Sequence, residues 1–257
     1  MRSFARTAQR VVLSTPRAGF GSGGARRTVV TVEQHDGDVA RLCFDDGKMN
    51  IFTFEALDSW RRALDDCESS SSLVISGNEN CLSAGFDLNV MGAGKSPEAA
   101  EMLRQGGDLV LRIAEWPRPT LICATGHSLA LGAIMTFAAD YRLGVSDKPK
   151  AKTGLTEVAI GLPVPQFAMA LARKRLATTH LTRATVLSEV FSSERAVDAG
   201  FLDTLVPSTV ISETSLAMAA GVSDYEDAPY QATKRSLWGS TVTEARALLD
   251  VDVAGFR

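Results

Sequence analysis

The 257-residue sequence is poor in the side chains that build metal sites and disulfide frameworks. It contains four cysteines and three histidines, scattered along the chain with no C-x-x-C pair and no histidine cluster. Zinc sites and disulfide-rich folds need such spacings, so neither is supported, and the cysteines are expected to be buried, reduced thiols. No run approaches the roughly 18–20 apolar residues that a membrane-spanning helix needs, which argues against integral membrane association.

What the chain does have is the composition of a globular protein, with 45% hydrophobic and 22% charged residues. This composition argues against intrinsic disorder and against a collagen-like fibre. The length is sufficient for one sizeable hydrophobic core with a small appended unit.

The N-terminal segment differs from the rest in charge. Residues 1–32 contain six arginines and no acidic residue, whereas the whole chain has a net charge of −3, so the remainder is acidic. On a helical projection the arginines cluster opposite an apolar face that includes Phe4 and Val11. Such a segment is typical of a mitochondrial transit peptide, here residues 1–27, and predicts the mitochondrial matrix as the location. A basic nucleic-acid arm and a disordered tail remain alternatives, although the acidic remainder argues against a nucleic-acid partner.

Strand and helix patterns alternate through the first two-thirds of the chain, and helices follow. Strands are predicted at Thr28–Glu33, Val39–Phe44, Leu73–Ser76, Thr120–Thr125 and Tyr141–Val145. Helices are predicted at Thr53–Cys67 (with Thr53 as N-cap), Glu98–Glu115, Ala130–Ala139, Gln166–Arg175, Thr179–Ser188, Ser193–Ala199, Ser212–Ala220, Asp227–Leu237 and Thr241–Val253. This order predicts an α/β core followed by a C-terminal helical extension.

Two segments have backbones suited to binding a ligand. Cys123–Ala139 is a strand–turn–helix whose small residues expose the free N–H groups at a helix start to an anion or a polarised carbonyl. Ser83–Asp87 is a small-residue turn that a ligand can approach closely, with Asp87 placed to cap the turn that follows. The structural alternatives are a strand–helix junction without a ligand and a plain tight turn.

A third segment, Gly154–Pro163, contains a lone acid, Glu157, beside a mostly apolar stretch. A carboxyl group in apolar surroundings has a raised pKa, which suits a general base near neutral pH. The alternative is a glutamate that faces solvent at the start of a helix.

Together these segments resemble the crotonase (enoyl-CoA hydratase/isomerase) superfamily over roughly Thr28 to Trp238. The matching motifs are Leu82–Leu88, Gly126–Ala133, Ala139–Arg142, Gly154–Pro163 and Arg195–Asp203. The resemblance implies an α/β fold, a spiral of ββα turns with a C-terminal helical trimerisation region. It divides the chain into the transit peptide (1–27), an acyl-CoA-binding core (28–206) and a helical oligomerisation region (207–257), assembled as a homotrimer or hexamer.

The resemblance also implies an acyl-CoA thioester substrate and an oxyanion hole made of the backbone N–H groups of Phe86 and Leu131. Glu157 matches a catalytic glutamate of the family. The residues implied to contact CoA or substrate are Lys48, Asn50, Ala84, Gly85, Asp87, Leu88 and Gly132. No metal and no separate cofactor are implied, because coenzyme A is part of the substrate.

Two departures from the family pattern bear on the reaction. Leu131 stands where the family usually has glycine, and its side chain is expected to narrow the pocket. Ile134 stands where the hydratases of the family carry the first of two glutamates, and isoleucine can neither accept a proton nor orient water. Asp87 and Asp147 are nominal replacements, but neither lies at a family catalytic position.

With one matching glutamate, the resemblance favours an enoyl-CoA isomerase that shifts a 3-enoyl double bond to the 2-trans position, with fatty-acid β-oxidation as the expected pathway. The local pattern Gly154–Glu157 resembles that of such isomerases. A hydratase or an acyl-CoA thioester hydrolase remains an alternative, as does a non-catalytic acyl-CoA-binding homologue. The acyl tunnel is expected to be lined by Val90–Arg112 and Val164–Ala172.

Overall fold

The computed structural model describes residues 28–92 and 94–256, so the predicted transit peptide lies outside the described residues. In chain order the strands are β1 (Val30–His35), β2 (Val39–Phe44), β3 (Ile51–Phe52), β4 (Ser72–Ser76), β5 (Cys81–Ser83), β6 (Gly85–Phe86), β7 (Thr120–Ala124), β8 (His127–Leu129), β9 (Tyr141–Val145), β10 (Thr153–Gly154) and β11 (Thr204–Val206). The helices are α1 (Phe54–Asp66), α2 (Leu88–Met91), α3 (Pro97–Ala114), α4 (Leu131–Thr136), α5 (Gln166–Arg175), α6 (Thr178–Thr185), α7 (Ser193–Ala199), α8 (Ile211–Ala220) and α9 (Asp227–Gly255), with a short 3-10 helix at Val158–Ile160.

A six-stranded sheet in the order β1-β2-β4-β7-β9-β11 forms the centre of the fold. Its first two strands pair antiparallel, and the other neighbouring pairs are parallel. Two small parallel sheets accompany it, one of β5, β8 and β10 and one of β3 and β6. A strand of the large sheet is repeatedly followed by a short strand of a small sheet and then by a helix. The chain therefore repeats a ββα turn, and the helices serve as the crossovers that parallel strands require.

The short strands bring three distant parts of the chain to one place. β6 ends at Phe86, β8 ends two residues before Leu131, and β10 ends three residues before Glu157. Because β8 and β10 are parallel neighbours, the residues that follow them emerge at the same edge of the small sheet.

Apolar side chains fill both faces of the large sheet. One face and the surrounding helices share the main core, in which Trp60 and Phe52 are fully buried. The helix α8 covers the other face, where Ile211 packs with Val39 and Val74. The helix α9 packs against α3 and α5 of the same chain, so the C-terminal part of the protein is built onto the core.

The C-terminal helix differs from its prediction. The sequence predicts two helices, Asp227–Leu237 and Thr241–Val253, but α9 runs unbroken through both. The buried side chains of Trp238 and Val242 continue one apolar stripe across Gly239, and this packing outweighs the low helix propensity of glycine.

Most of the other predicted elements agree with the structure to within a few residues. Thr53 is the N-cap of α1, and its hydroxyl accepts a hydrogen bond from the Ala56 N–H at 3.1 Å. The predicted helix at Ala130–Ala139 is shorter, because α4 begins at Leu131 and ends at Thr136. The pattern analysis missed α2, β11 and the five strands of the small sheets, since elements of two to four residues are too short to show a periodicity.

All four cysteines are unpaired; Cys67, Cys81 and Cys123 are buried, and Cys43 is half-buried. Burial raises the pKa of the Cys67 and Cys81 thiols to about 12.

In the described part of the chain, no helix has the length and apolar character needed to cross a bilayer. Nor does that part hold a group of three or more His, Cys, Asp or Glu residues placed to bind a metal ion.

Candidate active site

A cavity of about 120 Å³ lies where β6, the start of α4 and the segment after β10 meet. Its walls are apolar except for Thr156 and Glu157, and among the described residues that line it Glu157 is the only ionisable one. The lining residues are Ala84, Phe86, Leu88, Met91, Leu103, Ala130, Ile134, Thr156, Glu157, Ile160, Leu162, Pro163, Pro165 and Phe256.

A larger cleft of about 500 Å³ lies between α1 and α3, lined by apolar side chains such as Leu57 and Leu109 together with charged side chains. Its arginines are engaged in ion pairs, Arg61 with Asp58 and Arg112 with Asp65. The smaller cavity, whose wall includes both Glu157 and Phe86, is therefore the candidate site.

Glu157 is the group in this cavity that can accept a proton. It is 8% exposed, and its Oε2 atom has no hydrogen-bond partner among the described residues. Burial raises the pKa of Glu157 to about 7, and a hydrogen bond from its own backbone N–H opposes the rise only in part. Of the two interpretations of the sequence, the structure supports a buried carboxyl group rather than one that faces solvent.

Backbone hydrogen bonds hold the segment that carries Glu157. The carbonyl oxygen of Glu157 accepts hydrogen bonds from the N–H groups of Ile160 (3.1 Å) and Leu162 (2.9 Å). The Ala130 N–H donates to the Gly154 carbonyl oxygen at 3.0 Å. This last bond ties the segment of the carboxyl group to the turn that precedes α4.

The backbone N–H groups of Phe86 and Leu131 have no acceptor in the β3–β6 pair or within α4. In the β3–β6 pair the Asp87 N–H donates to the Phe52 carbonyl oxygen at 3.2 Å. Successive N–H groups of a strand point to opposite edges, so the Phe86 N–H points away from β3. Leu131 is the first residue of α4, and the first N–H groups of a helix have no intrahelical acceptor.

Close contact between two turns brings these N–H groups near each other. Gly85 has a φ of +100°, and a Cβ atom built on it would lie 2.8 Å from Ala130 Cβ and 3.4 Å from Leu131 N. Only glycine fits there, on grounds of both conformation and space. Ala130 itself has a φ of 48° and a ψ of −121°, which is a strained conformation for a residue with a side chain.

The side chain of Leu131 does not narrow the cavity as predicted. It is absent from the cavity wall and points towards α3, where a Cβ atom on Gly106 would lie 3.1 Å from Leu131 Cδ2. Ile134, which is 1% exposed, does line the cavity. The position where the family's hydratases carry another glutamate thus places an apolar side chain in the same cavity as Glu157.

The two nominal replacements for that acid are engaged elsewhere. The Asp87 carboxylate accepts a hydrogen bond from the Asn89 N–H at 2.9 Å and caps α2, as the sequence predicts. The Asp147 carboxylate accepts hydrogen bonds from the N–H and hydroxyl of Ser208, at 2.9 and 2.8 Å, which lower its pKa. Neither residue belongs to the cavity wall.

Two of the predicted substrate-binding residues have roles in holding the fold together. The side chain of Asn50 is fully buried and donates hydrogen bonds to the carbonyl oxygens of Phe44 and Cys81, so its amide holds the loop and is closed to a ligand. A Cβ atom on Gly132 would lie 2.4 Å from the Ser83 carbonyl oxygen. Gly132 is therefore needed for the close packing of α4 on β5.

Three of the other predicted contact residues, Lys48, Ala84 and Leu88, lie on one side of the cavity. Ala84 and Leu88 line it, and Leu88 is 56% exposed. The Ala84 N–H donates to the Met49 carbonyl oxygen at 3.0 Å, which places the loop with the exposed Lys48 next to this edge. An exposed ammonium group beside an apolar opening suits a ligand with an apolar end and an anionic end.

The predicted tunnel segments supply part of the cavity wall. Val90–Arg112 contributes Met91 and Leu103, and Val164–Ala172 contributes Pro165. The wall residues that sequence reasoning missed are Ile160, Leu162, Pro163 and Phe256. The first three follow Glu157 directly and could have been found from that proximity, whereas no local signal marks Phe256.

Comparison with known proteins identifies the family. The family model described as "Enoyl-CoA hydratase/isomerase" matches residues 34–255. The chain belongs to the enoyl-CoA hydratase/isomerase family. Membership of this family confirms the resemblance drawn from the five motifs, and the match includes every residue of the cavity wall except Phe256.

Both isomerases and hydratases of the enoyl-CoA hydratase/isomerase family are similar to this chain. The human protein "Enoyl-CoA delta isomerase 1, mitochondrial" is 27% identical, with 100% of this chain and 87% of the human protein covered. A crystal structure of an enoyl-CoA hydratase from Mycobacterium marinum has 30% identity and a TM-score of 0.83, covering 89% of this chain and 100% of that one. The crystal structure of human mitochondrial delta3-delta2-enoyl-CoA isomerase has 25% identity and a TM-score of 0.82, covering 89% and 90%. These similarities confirm the crotonase fold with its C-terminal helix.

Proposed function

We propose that the protein is an enoyl-CoA isomerase that converts a 3-enoyl-CoA into the 2-trans-enoyl-CoA, with Glu157 as its one catalytic base. The observation that carries this proposal is the composition of the cavity wall, in which Glu157 is the one ionisable side chain among the described residues. Ile134 lies where a second acid would stand. Moving a double bond needs one group that takes and returns a proton, whereas hydration also needs polar groups that hold and activate water.

The reaction then proceeds through a dienolate. The Glu157 carboxylate takes a proton from C2, and the electrons of that C–H bond form a C1–C2 double bond conjugated with the one between C3 and C4. The negative charge lies on the thioester oxygen. When the carboxylic acid returns the proton to C4, the double bond comes to rest between C2 and C3, and the carboxylate is restored.

The N–H groups of Phe86 and Leu131 are proposed to bind the thioester oxygen. Donors of this kind contribute about 3–4 kcal/mol each to the stability of the transition state, because they are fixed in place before the charge develops. The contact between the turns at Gly85 and Ala130 determines where these two N–H groups lie. The strained backbone of Ala130 therefore belongs to the proposed oxyanion hole.

The apolar surroundings of Glu157 suit this chemistry in two ways. A base whose pKa is about 7 is stronger than an exposed carboxylate and is still half ionised at neutral pH. The low exposure of the carboxyl group also limits exchange of its proton with water while the dienolate exists.

The remaining parts of the substrate and the setting of the enzyme are proposed in outline. The CoA chain passes Ala84 and Leu88, and Lys48 lies close to its phosphates. No separate cofactor is involved. We place the enzyme in fatty-acid β-oxidation in the mitochondrial matrix, with 1–27 as a transit peptide, in line with the mitochondrial name of its human relative. We expect 28–206 to form the core, and 207–257 to support a homotrimer or hexamer.

The second candidate is an enoyl-CoA hydratase, which is favoured by the similarity to the mycobacterial hydratase. Its weakness is that Asp87 and Asp147 do not reach the cavity and Ile134 replaces the expected acid. A thioester hydrolase has the same weakness, because it too must activate water. A non-catalytic acyl-CoA-binding protein would have no need of a buried carboxyl group without a partner.

The test is to add the full-length protein to a 3-enoyl-CoA and, separately, to a 2-enoyl-CoA, and to follow the ultraviolet absorbance of the conjugated enoyl thioester. The isomerase proposal predicts a rise with the 3-enoyl substrate and no fall with the 2-enoyl substrate. A fall with the 2-enoyl substrate that is not accompanied by release of free thiol would identify a hydratase. Release of free thiol would identify a hydrolase, and no change in any signal would favour a binding protein. The Glu157→Gln variant is the matched control, since it keeps the shape of the side chain.

A further inference from the structure

We propose that Phe256 closes the acyl end of the cavity and restricts the substrate to short acyl chains. The proposal rests on the proposed function, because it assumes that the thioester carbonyl lies at Phe86 and Leu131. In this proposal Phe256, which follows α9, determines the length of the acyl chain that the cavity accepts.

The pairing of α3 with α9 fixes where Phe256 lies. Arg104 forms an ion pair with Asp250 at 2.6 Å, and Asp108 forms one with Arg246 at 3.4 Å. Residue numbers that increase along α3 thus pair with residue numbers that decrease along α9, so the two helices are antiparallel. Extending the same register places Phe256 beside the first turn of α3.

The opposite end of the cavity is marked by Phe86. Its ring lies against Gly106, which is about two turns along α3 from the level of Phe256. Leu103, one turn from Gly106 on the side of Phe256, lines the cavity between them. An acyl chain that starts at the Phe86 N–H and passes Glu157 therefore runs along α3 towards the Phe256 ring.

The volume of the cavity limits the length of the acyl chain that fits between Phe86 and the ring of Phe256. An apolar cavity of about 150 Å³ is known to hold one benzene molecule, a group of six carbons. A cavity of about 120 Å³, part of which the CoA chain occupies at Ala84 and Leu88, thus accommodates an acyl group of at most about six carbons. Near Phe256 the wall includes Pro163 and Pro165, whose rings restrict backbone adjustment.

Contacts of Asp252 and Leu249 fix the end of α9, the helix that Phe256 follows. The Asp252 carboxylate accepts hydrogen bonds from the N–H groups of Gln166 and Phe167, each at 3.0 Å, and so caps α5. On the other side, Leu249 fills the space next to Gly107 of α3, where a Cβ atom would lie 2.5 Å from Leu249 Cδ1. The end of α9 is thus attached to both α5 and α3, and a longer acyl chain would have to displace it.

The test is to measure by calorimetry the binding of saturated butanoyl-, hexanoyl- and dodecanoyl-CoA, which cannot be isomerised. For the wild type we expect dodecanoyl-CoA to bind at least about 10-fold more weakly than hexanoyl-CoA, since an apolar pocket discriminates by about this factor for atoms it cannot accommodate. Phe256→Ala is expected to remove that difference, and Phe256→Trp to shift the preference from hexanoyl- to butanoyl-CoA. Val251→Ala, at a position of α9 that is 53% exposed, is the control and is expected to behave as the wild type.

Equal binding of hexanoyl- and dodecanoyl-CoA by the wild type would overturn the proposal, as would an unchanged preference in both Phe256 variants. Absence of binding to every acyl-CoA would overturn the proposed function as well. If the length preference is found but 3-hexenoyl-CoA is not isomerised, the assignment of Phe256 stands and the proposed reaction fails. Binding and turnover thus separate the two failures.

Discussion

The phenyl ring of Phe86 occupies the space that a side chain on Gly106 would need. A Cβ atom on Gly106 would lie 2.3 Å from Phe86 Cζ and 2.4 Å from Cε1. The same atom would lie 3.1 Å from Leu131 Cδ2. Both residues whose N–H groups are proposed to bind the thioester oxygen therefore rest on one glycine of α3.

The Gly106→Ala substitution is expected to lower kcat for a 3-enoyl-CoA by about 10-fold or more. The added methyl group pushes the Phe86 ring and the strand that carries it, and complete loss of one oxyanion donor costs about 100- to 1,000-fold. The measurement is the initial rate of formation of the conjugated thioester. Gly239→Ala is the matched control, because a Cβ atom there meets nothing within 4 Å, and it should keep full activity. Full activity of Gly106→Ala would show that α3 does not position the donors.

The activity is expected to depend on pH through Glu157. The base must be ionised, and its pKa is about 7, so kcat/KM should rise about tenfold per pH unit below that value and level off above it. Glu157→Gln should be slower by at least about 100-fold across the whole range. A profile that levels off already near pH 4.5, the ordinary value for a glutamate, would mean that the carboxyl group is not buried during the reaction.

Burial of Glu157 also predicts a pH-dependent stability. Its pKa is about 7 in the folded protein and near the ordinary value of 4.5 in the unfolded chain, so the folded state binds this proton more tightly. The stabilisation is full below about pH 4.5, is lost as the pH rises to about 7, and stays lost above it. The loss corresponds to about 3 kcal/mol.

The Glu157→Gln variant makes this contribution measurable. Glutamine resembles the protonated carboxyl group, so the variant should match the wild type at about pH 4 and be more stable by about 3 kcal/mol at about pH 8. Urea unfolding at both pH values gives the difference. Glu244→Gln, at an exposed position of α9, should show no such difference. Equal stability of Glu157→Gln and the wild type at pH 8 would contradict a buried, ionised carboxylate.

Because the backbone of Ala130 is strained, replacing this alanine by glycine is expected to stabilise the protein, whereas the same replacement in a helix usually destabilises it. Replacing alanine by glycine normally costs about 0.5–1 kcal/mol in a helix, and Ala217→Gly in α8 should show this loss. Ala130→Gly should instead raise the free energy of unfolding by about 1 kcal/mol, because glycine adopts a φ of 48° without strain. Chemical denaturation compares the two variants, and destabilisation by both would show that Ala130 is unstrained.

The sequence was sufficient for the parts of the site that lie in local motifs. The Ser83–Asp87 turn, the start of α4 and the apolar setting of Glu157 could all be recognised from neighbouring residues, and Asp87 is a cap as predicted. Patterns of spacing also located most helices. For Asn50, the family resemblance implied a ligand contact, but its side-chain amide donates hydrogen bonds to the carbonyl oxygens of Phe44, Cys81 and Leu82.

The remaining features depend on contacts between distant residues. Gly106 lies within an ordinary helical pattern, and its importance comes from Phe86, which belongs to another strand. Phe256 reaches the cavity only because α9 packs against α3 and α5. Ala130 has a residue type that indicates no strain. In each case tertiary packing determines the role of the residue, and the neighbouring sequence does not indicate that role.

The most direct test of a single buried base is to follow the proton itself. A 3-hexenoyl-CoA that carries deuterium at both C2 positions is converted in ordinary water, and the product is analysed by NMR. If Glu157 takes the proton from C2 and returns it to C4, a substantial share of the 2-hexenoyl-CoA will carry deuterium at C4, and Glu157→Gln will form no product. If the C4 hydrogen comes from water in every product molecule, or if the product is a 3-hydroxyacyl-CoA, the single-glutamate mechanism is wrong.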